Sequence, residues 1–527
     1  MSANKFDVIV IGSGPSAWAA LAAIPSNYSV LNVDIGKTEN TDTKKFLKTT
    51  LDVIKKSPID EDEIRSIIQT VVDPDDSALG SKKNFYGDNY MYDVNDLLDR
   101  DPRGIRKSTA LGGYASIWGA TMLPLPANFL NKIHSRSKQK LIRGYAFLLS
   151  KIEVSSFSAK GSRYEFPNKL NLFSTGTLLQ HICLRRSKKH SSLLLKIIDA
   201  TFEPIGVAVQ GLTELTSPSD DTQCSKCGLC QLGCPKNLIW NPRYSAPARS
   251  LTNYKYINAN VKKIISIEGK LFIHCFDHKV VYEARTIILA AGAIGTAEIL
   301  VNSQLSENFS NLRIRDNQTV FRHGLSVRKV GNLHPRMNLA ELTLLIGSNG
   351  KNPISAQLYS ISQYTRIRIL ALYPFLKKIP KLLQNMFLFR LTTLLVYFDD
   401  EQSGFISVSK QGDIVVMEEN AKYPKSKTRF TNYIRISFPL LSKLIFLFPF
   451  FQQKMLVGGG NHIGSTEYQN VAGKFDKICN ENGTLKGEEH ILISDSSALP
   501  WLYPGPITMT TMANGYSNVS DYFSTKL

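Results

Sequence analysis

Four of the seven cysteines stand close together in a pattern that is typical of a metal site. They are Cys224, Cys227, Cys230 and Cys234, in the order C-x2-C-x2-C-x3-C, and a proline follows. This is the ferredoxin-type run, whose short spacings let successive thiolates converge on one iron–sulfur cluster. Zinc usually takes two separated CxxC pairs, so it is a weaker alternative. A structural loop without metal is the third.

In ferredoxins with two clusters, the fourth cysteine of such a run ligates the other cluster. This sequence has one run, which leaves three arrangements open. Cys234 folds back onto the same cluster, three thiolates hold a three-iron cluster, or a distant cysteine completes the set. The distant candidates are Cys183, Cys275 and Cys479.

A glycine-rich loop near the N-terminus has the spacing of a dinucleotide-binding turn. Its residues are Gly12, Ser13, Gly14, Pro15, Ser16 and Ala17, a GxGxxA motif. The β-branched run 6–11 predicts a buried parallel strand, and residues 18–24 predict a helix. Gly12 permits the tight turn, Gly14 lets a pyrophosphate approach the backbone, and Ala17 keeps the helix close to the strand.

A second predicted strand, residues 28–33, ends in Asp34, which stands 22 residues after Gly12. A carboxylate at this position hydrogen-bonds a ribose hydroxyl in dinucleotide sites. The two strands, the helix and the acid together predict dinucleotide binding, whereas the glycine motif by itself also suits an ordinary strand–helix turn. The motif does not separate FAD from NAD.

Three further blocks stand out, and the first two place small residues or prolines where a strand ends. Residues 284–297 predict a buried strand that ends in small residues and opens a helix. Residues 491–513 predict a strand that delivers an aspartate, then a proline-broken turn and the start of a helix. Residues 111–119 contain two consecutive glycines, Gly112 and Gly113.

Together with the N-terminal loop, these blocks resemble the glucose–methanol–choline (GMC) oxidoreductases, in the same order and over nearly the whole chain. The resemblance implies an α/β fold with a Rossmann-like FAD-binding domain, discontinuous in sequence, and an inserted α+β substrate-binding domain. The FAD-binding domain is expected at residues 1–125, 205–305 and 455–527, and the substrate-binding domain at 126–204 and 306–454. Residues 37–101 are expected to form a polar excursion or lid, and residues 224–235 a Cys-rich loop.

The resemblance also implies which residues hold FAD. They are Gly12, Gly14, Pro15, Ser16, Ala17, Asp34, Gly112, Gly113, Ser116, Trp118, Val261, Ala291, Gly292, Asp495, Ser496, Pro506, Ile507 and Thr508. Val261 would contact the adenine side, and the 112–116 loop would pass beside the flavin ring. Asp495 and the helix after Pro506 would face the ribityl–pyrophosphate part and the flavin C2 carbonyl region.

The catalytic base of this family is a histidine flanked by glycines, and the resemblance implies His462, within residues 457–465. The usual H-x-x-G spacing would place the base at Asn461, so His462 stands one residue nearer the glycine. The family's second catalytic residue, a His or Asn before the last proline, is replaced by Gly505. Asn461, Tyr503 and Asn514 are the candidates to replace it.

The expected reaction is oxidation of a CH–OH group of a sugar or sugar-derived alcohol, with hydride transfer to flavin N5 and His462 as base. An iron–sulfur cluster would favour a dehydrogenase with an external electron acceptor over an oxidase. Two alternatives stay open. One is a flavin-dependent reductase, isomerase or epimerase on the same kind of substrate, and the other is a non-catalytic flavin-fold protein.

The formal net charge is +19, which predicts an anionic partner such as a phosphorylated or lipid-linked glycan substrate, or an acidic membrane surface. Residues 360–460 hold 14 basic and 6 acidic residues beside two apolar runs, which favours a membrane surface over nucleic acid. No nucleic-acid-binding motif is found. The clustered cysteines and the N-terminal strand predict a reducing, cytoplasmic location, with peripheral membrane contact as an option.

Overall fold

The computed structural model describes residues 4–56, 60–71, 84–86, 88–93, 105–131, 133–156, 171–172, 179, 183, 199–209, 222–244, 251–276, 281–303, 305–331, 338–347, 352–412, 414–420, 426–454, 463–470 and 472–525. The helices are α1 (Pro15–Leu21), α2 (Thr41–Ile54), α3 (Glu61–Val71), α4 (Ala127–Leu130), α5 (Ser135–Lys151), α6 (Gly292–Ser303), α7 (Gln363–Leu372), α8 (Lys381–Leu388), α9 (Ser426–Leu441) and α10 (Thr508–Ser524). Together with the sheets below, they make a mixed α/β protein.

Sheet A positions the glycine loop. Its strands are β1 (Asn4–Ile11), β2 (Ser29–Asp34), β11 (Asn253–Asn258), β12 (Val261–Ile267), β13 (Lys270–Cys275), β14 (Tyr282–Leu289), β25 (Thr484–Leu485) and β26 (Glu488–Ile493). The order β11-β2-β1-β14-β26 is parallel throughout, and β13 and β12 extend β14 as an antiparallel meander. Val8, Ile9 and Val10 are fully buried, as a central parallel strand requires.

The carboxyl ends of the parallel strands meet at one edge of sheet A. The amide of Gly12, directly after β1, donates to the Val33 carbonyl of β2 at 2.8 Å. On the other side of β1, the amide of Ala290 donates to the Ile11 carbonyl at 2.9 Å. The chain thus leaves β1 between two neighbouring strands, which is where open α/β sheets form a ligand crevice.

Sheet B is antiparallel and lies in the middle of the chain. In spatial order it contains β22 (Ile445–Lys454), β16 (Thr319–Ser326), β19 (Leu391–Phe398), β18 (Ile354–Ser360), β17 (Leu342–Ile346) and β9 (Ala200–Pro204). Side chains alternate between the two faces of a strand, and directly paired residues share a face. One face is apolar: Leu342, Leu344, Ala356, Leu358, Leu394 and Val396 pack with Ile436 and Leu440 of α9.

The opposite face of sheet B is buried and carries many polar side chains beside apolar ones such as Phe321 and Leu345, and we call it the polar face. Its buried polar members are Glu203, Thr319, His323, Thr343, Ser355, Gln357, Thr393 and Tyr397, with Tyr359 partly buried. A sheet face that is buried and polar needs hydrogen-bond partners on whatever lies against it. This face therefore marks a region where the protein handles polar groups.

Sheet C contains β15 (Asn311–Asp316), β20 (Phe405–Gln411), β21 (Ile414–Asn420), β23 (Ile463–Gln469) and β24 (Phe475–Lys477), in the order β21-β20-β15-β23-β24. It takes strands from both of the expected domains. Shorter pairings join β3 (Asn84–Phe85) to β4 (Asp88–Asn89), β5 (Met91–Asp93) to β6 (Arg106–Ser108), and β7 (Ser155–Ser156) to β8 (Asn171–Leu172) and β10 (Gly206–Val207).

The excursion at residues 37–101 contains more structure than its polar composition predicts. The sequence predicts one helix in this excursion, at residues 61–72, and α3 confirms it, whereas α2 is not predicted. Ile54, Ile64 and Ile68 are buried and share an apolar cluster with Tyr86 and with residues of the Cys-rich loop. This part of the excursion is packed against the protein, although its role as a lid stays a prediction.

Two other predictions differ in their boundaries. Residues 325–330 predict a strand, but the observed strand β16 lies earlier in the chain: it pairs with β19 from Thr319 onward and ends at Ser326. The apolar run 369–398 resolves into the end of α7, a 3-10 turn, α8 and β19. Within the described part of the chain, no helix is long and apolar enough to cross a membrane.

Candidate functional site

The N-terminal glycine loop and the loop of residues 112–116 contact each other. A Cβ built on Gly14 would lie 3.8 Å from the Gly113 Cα and 3.9 Å from the Gly112 carbonyl oxygen. The Ser13 hydroxyl accepts a hydrogen bond from the Gly112 amide at 2.9 Å and donates to Oδ2 of Asp34. Three separately predicted cofactor elements therefore meet at the carboxyl end of β1.

The backbone conformation and packing of the protein require glycine at two positions in these loops. Gly12 has a φ of +114°, and a Cβ there would lie 2.3 Å from the buried Ala290 carbonyl oxygen. Gly112 has a φ of +91°, and a Cβ there would lie 2.2 Å from Oδ1 of Asn241. L-residues with side chains rarely adopt such backbone angles. Gly14 differs from both, since it has an ordinary backbone and room for a methyl group.

Asp34 ends β2 with its carboxylate beside the glycine loop. Burial raises the pKa of Asp34 to about 6, while the hydrogen bond from Ser13 and the charge of Lys107 act in the opposite direction. The Ala259 amide donates to the Asp34 carbonyl at 2.8 Å, and Val261 begins the next strand two residues later. A carboxylate so placed can accept hydrogen bonds from ribose hydroxyls.

A polar cluster beside the 112–116 loop was not identified from the sequence. The Ser116 hydroxyl donates to the Leu111 carbonyl at 2.7 Å and accepts from Nδ2 of Asn241 at 3.1 Å. Arg243 pairs with Glu39 through two bonds of 2.5 and 2.7 Å. Ser116, Asn241 and Arg243 line a pocket together with Trp118 and Cys234. The indole of Trp118 donates to the Trp240 carbonyl at 3.0 Å. No local motif surrounds Asn241, so only the fold reveals it.

Asp495 is fully enclosed. Its carboxylate accepts from the Thr296 hydroxyl at 2.5 Å and from the Ser497 amide at 2.9 Å, and also from the Gly292 amide at the start of α6. Burial raises the pKa of Asp495, and these three donors act in the opposite direction. Asp495 thus caps α6 and fixes the turn at Ser496, and its predicted contact with FAD stays a prediction.

Gly292, at the start of α6, is exposed, whereas the capping residue Asp495 is buried. It has a φ of +75°, and a Cβ on Gly292 would meet no protein atom within 4 Å. Ala291, directly before it, is partly buried. Because these residues follow β14, they lie at the same edge of sheet A as Gly12 and Asp34.

The C-terminal block lies against sheet B. The Tyr503 carbonyl accepts from Nδ2 of Asn317, and the Tyr503 ring is 4.7 Å from that of Phe129. Gly505 has a φ of +152°, and a Cβ there would lie 3.6 Å from the Ser355 hydroxyl of the polar face. Pro506 and Ile507 precede α10, which begins at Thr508, and Asn514 lies partly buried on that helix.

The expected catalytic base, His462, and its neighbour Asn461 lie outside the described residues. The residue after His462 is described: the Ile463 carbonyl accepts from the Ser496 hydroxyl at 2.7 Å. A Cβ on Gly464 would lie 2.5 Å from the Ser496 carbonyl oxygen, so the two backbones approach closely. The chain that follows His462 is therefore fixed against the turn after Asp495.

The polar face reaches the site through Gln357. Its Nε2 donates to the Thr121 hydroxyl at 3.4 Å, and its Oε1 accepts from the Tyr359 hydroxyl at 2.8 Å. The hydroxyls of Thr343 and Ser355 are buried and have no hydrogen-bond partner among the described residues. These donors and acceptors are neutral groups that suit hydroxyl-bearing ligands.

The four clustered cysteines come together in the structure. Burial raises the pKa of Cys230, and the neighbouring Cys224, Cys227 and Cys234 raise it further. The Asn338 amide donates to Sγ of Cys230 at 3.4 Å. Across the described ranges, however, no group of three or more His, Cys, Asp or Glu side chains is placed to hold a metal ion. The geometry gives the iron–sulfur prediction no support, and it stays a prediction.

Comparison with solved structures identifies the fold. Pyridoxine 4-oxidase from Mesorbium loti matches with a TM-score of 0.57 and 11% sequence identity, over 98% of this chain and 99% of that chain. At this identity the likeness shows a shared fold. No protein-family model matches the chain, and no curated protein matches its sequence.

Proposed function

We propose that this protein is an FAD-dependent oxidoreductase that oxidises a CH–OH group of a sugar-like, polyhydroxylated alcohol. The observation that carries the proposal is the meeting of Gly14, Gly113 and Asp34 at the carboxyl end of β1. A dinucleotide needs a close backbone approach for its pyrophosphate and an acid for its ribose, and this edge of sheet A provides both. The shared fold with a known oxidase adds support.

The residues present fit FAD. Gly14 has a backbone that any residue could adopt and space for a methyl group, so the protein's own packing does not require glycine there. Gly292 likewise has open space where a side chain would project. A cofactor that passes over this loop would explain glycine at position 14, whereas the φ of +75° at Gly292 favours glycine by itself. Ala17 lies fully buried in α1, where its small side chain lets the helix approach β1.

FAD, when bound, supplies a ring that accepts a hydride from carbon. The chain must supply a base for the hydroxyl proton. His462 is our candidate because an imidazole can accept a proton near neutral pH. Ser496 would position it, since this residue is bonded to Ile463. Gly505 leaves the usual second catalytic position without a side chain, and Tyr503 and Asn514 are candidates to assist.

The polar face supports the substrate class. Its described polar members offer hydroxyls, the amide of Gln357, the imidazole of His323 and one carboxylate, and none is a lysine or an arginine. Orphaned hydroxyls such as that of Ser355 next to Gly505 suit a ligand with several hydroxyl groups. We therefore propose a neutral polyol at this face, and assign the net charge of the chain to another partner.

The test begins with flavin release from purified protein, followed by anaerobic mixing with a panel of aldoses, polyols, sugar phosphates and simple alcohols. Bleaching of the flavin band by polyols is the expected result, with loss of about a hundredfold in rate for His462→Ala. Oxygen uptake or dye reduction then identifies the acceptor. Isomerised substrate without any acceptor consumed would replace the proposal by an isomerase or epimerase, and protein without flavin would overturn it.

A matched pair of variants tests the polar face. Thr343 and Thr392 are both fully buried with unpartnered hydroxyls among the described residues, but Thr392 lies on the apolar face of sheet B. Thr343→Val should raise the KM for a polyol by about 2- to 12-fold, the value of one neutral hydrogen bond. Thr392→Val should leave it unchanged. Equal effects would remove the polar face from substrate binding.

A further inference from the structure

Helix α8 presents large apolar side chains to solvent. Leu382, Leu383 and Met386 are 73%, 53% and 50% exposed, whereas Gln384 and Leu388 on the other side are buried. Single exposed apolar residues are common on protein surfaces and need no explanation. Three on two turns of one helix are the start of a patch.

The patch continues across the surface beyond α8. Nη1 of Arg390 donates to the Met386 carbonyl at 2.8 Å, and its Nε donates to the Val327 carbonyl at 3.3 Å. The Val327 amide in turn donates to the Leu444 carbonyl at 3.0 Å. Val327, Leu444 and the nearby Phe446 are each about half exposed. These six residues, from α8 to the start of β22, form what we call the apolar strip.

Every charged residue that borders the apolar strip in sequence is basic. Lys377, Lys378 and Lys381 are exposed at or just before the start of α8, and Arg328 and Lys329 follow Val327. No Asp or Glu stands between Glu341 and Asp399, nor anywhere from residue 420 to residue 466. Exposed apolar side chains that lie side by side in this way mark an interaction site, and the charge around them selects the partner.

We propose that the apolar strip and its basic border dock this protein onto an anionic lipid surface. Exposed leucines, methionine and phenylalanine enter the boundary between headgroups and acyl chains, while lysines and arginines pair with acidic headgroups. A second copy of the chain fits less well. A two-fold contact would bring the same basic border against itself, and like charges at close range oppose association. This inference is independent of the reaction proposed above.

The experiment measures flotation of the full-length protein with vesicles of phosphatidylcholine alone and of phosphatidylcholine with phosphatidylglycerol. Binding to the anionic vesicles, weakened by high salt, is the expected result. Lys381→Gln should weaken it about fivefold, the contribution of one basic residue near such a surface. Binding that is equal with and without phosphatidylglycerol would overturn the role of the basic border.

Leu382→Ser tests the apolar part, and Ile414→Ser is its matched control. Ile414 is 69% exposed, on β21 of sheet C. Leu382→Ser should weaken vesicle binding by at least about tenfold, because a leucine no longer enters the lipid. Ile414→Ser should bind as the wild type does. Light scattering on the same samples identifies the competing result: a dimer that Leu382→Ser abolishes, without vesicle binding, would make the strip a self-interface and overturn the proposal.

Discussion

Replacing Gly14 by alanine should separate the stability of the fold from binding of the cofactor. Gly14 has φ −71° and ψ −175°, an extended backbone that alanine adopts without strain. The added methyl group would lie 3.8 Å from the Gly113 Cα, an ordinary contact distance. A glycine-to-alanine change at a compatible position stabilises a protein by about 0.4–1 kcal/mol, through the unfolded chain. The apoprotein should therefore be unchanged or slightly more stable.

The same methyl group should weaken FAD binding. If the pyrophosphate passes close to the backbone of Gly14, the methyl occupies part of its space. Forcing an extra methyl group into a packed contact costs about 1–3 kcal/mol. That free energy corresponds to a Kd raised by roughly 5- to 150-fold. Stability and affinity should therefore move in opposite directions.

The measurements are denaturant unfolding of the apoprotein and titration with FAD, followed by flavin fluorescence. Gly12→Ala is the contrasting variant, because its Cβ would lie 2.3 Å from a buried carbonyl oxygen at a φ of +114°. It should lower the free energy of unfolding itself. A Gly14→Ala protein that binds FAD as tightly as the wild type would refute the assignment of this loop.

Three further predictions concern other parts of the chain. Gly292→Ala and Gly269→Ala change two glycines that share a φ of +75° and open surroundings, so both variants should lose about 1–2 kcal/mol of stability. Gly292→Ala alone should weaken FAD binding, and two variants with the same affinity for FAD would contradict the assignment of Gly292 to the cofactor site. Burial lowers the pKa of His323 to about 4 from an unfolded value of 6.5, so roughly 3 kcal/mol of stability is present above pH 6.5 and is lost as the pH falls through 4. His323→Gln should therefore flatten the dependence of the unfolding free energy on pH between these two values. Burial raises the pKa of Cys227 and of Cys479 to about 12. Neither thiol should therefore react with a disulfide reagent at pH 8 until the protein is unfolded. Rapid reaction of the native protein at either cysteine would count against the burial of that thiol.

The local parts of the site could be predicted from the sequence. The strand 6–11, the glycine turn and the acid at the end of β2 are each specified by neighbouring residues, and the structure contains them at those positions. The apolar run at residues 342–346 likewise predicts a strand, and β17 has those bounds. Periodicity and turn chemistry act over a few residues, so they are visible in a single sequence.

The parts that depend on distant contacts could not be predicted. Asn241 contacts Ser116 across more than a hundred residues, and nothing near it in the chain indicates that contact. The carboxylate of Asp495 also accepts a hydrogen bond from Thr296, which is distant in the chain, whereas its predicted contact with FAD stays a prediction. Polar composition likewise hid α2, whose buried side chains pack against the Cys-rich loop.

The polar face of sheet B could be predicted only in part. Residues 354–360 alternate apolar and polar, a pattern that predicts a strand with one face in solvent. In the structure both faces are buried, and the hydroxyls of Thr343 and Ser355 have no partner among the described residues. Each such hydroxyl costs about 1–3 kcal/mol when it is left unpaired. A ligand with several hydroxyl groups would recover that free energy on binding, whereas an apolar alcohol would not. These unpaired hydroxyls lower the stability of the protein where Gly505 and the polar face meet. This is the reason to begin the substrate search with polyols.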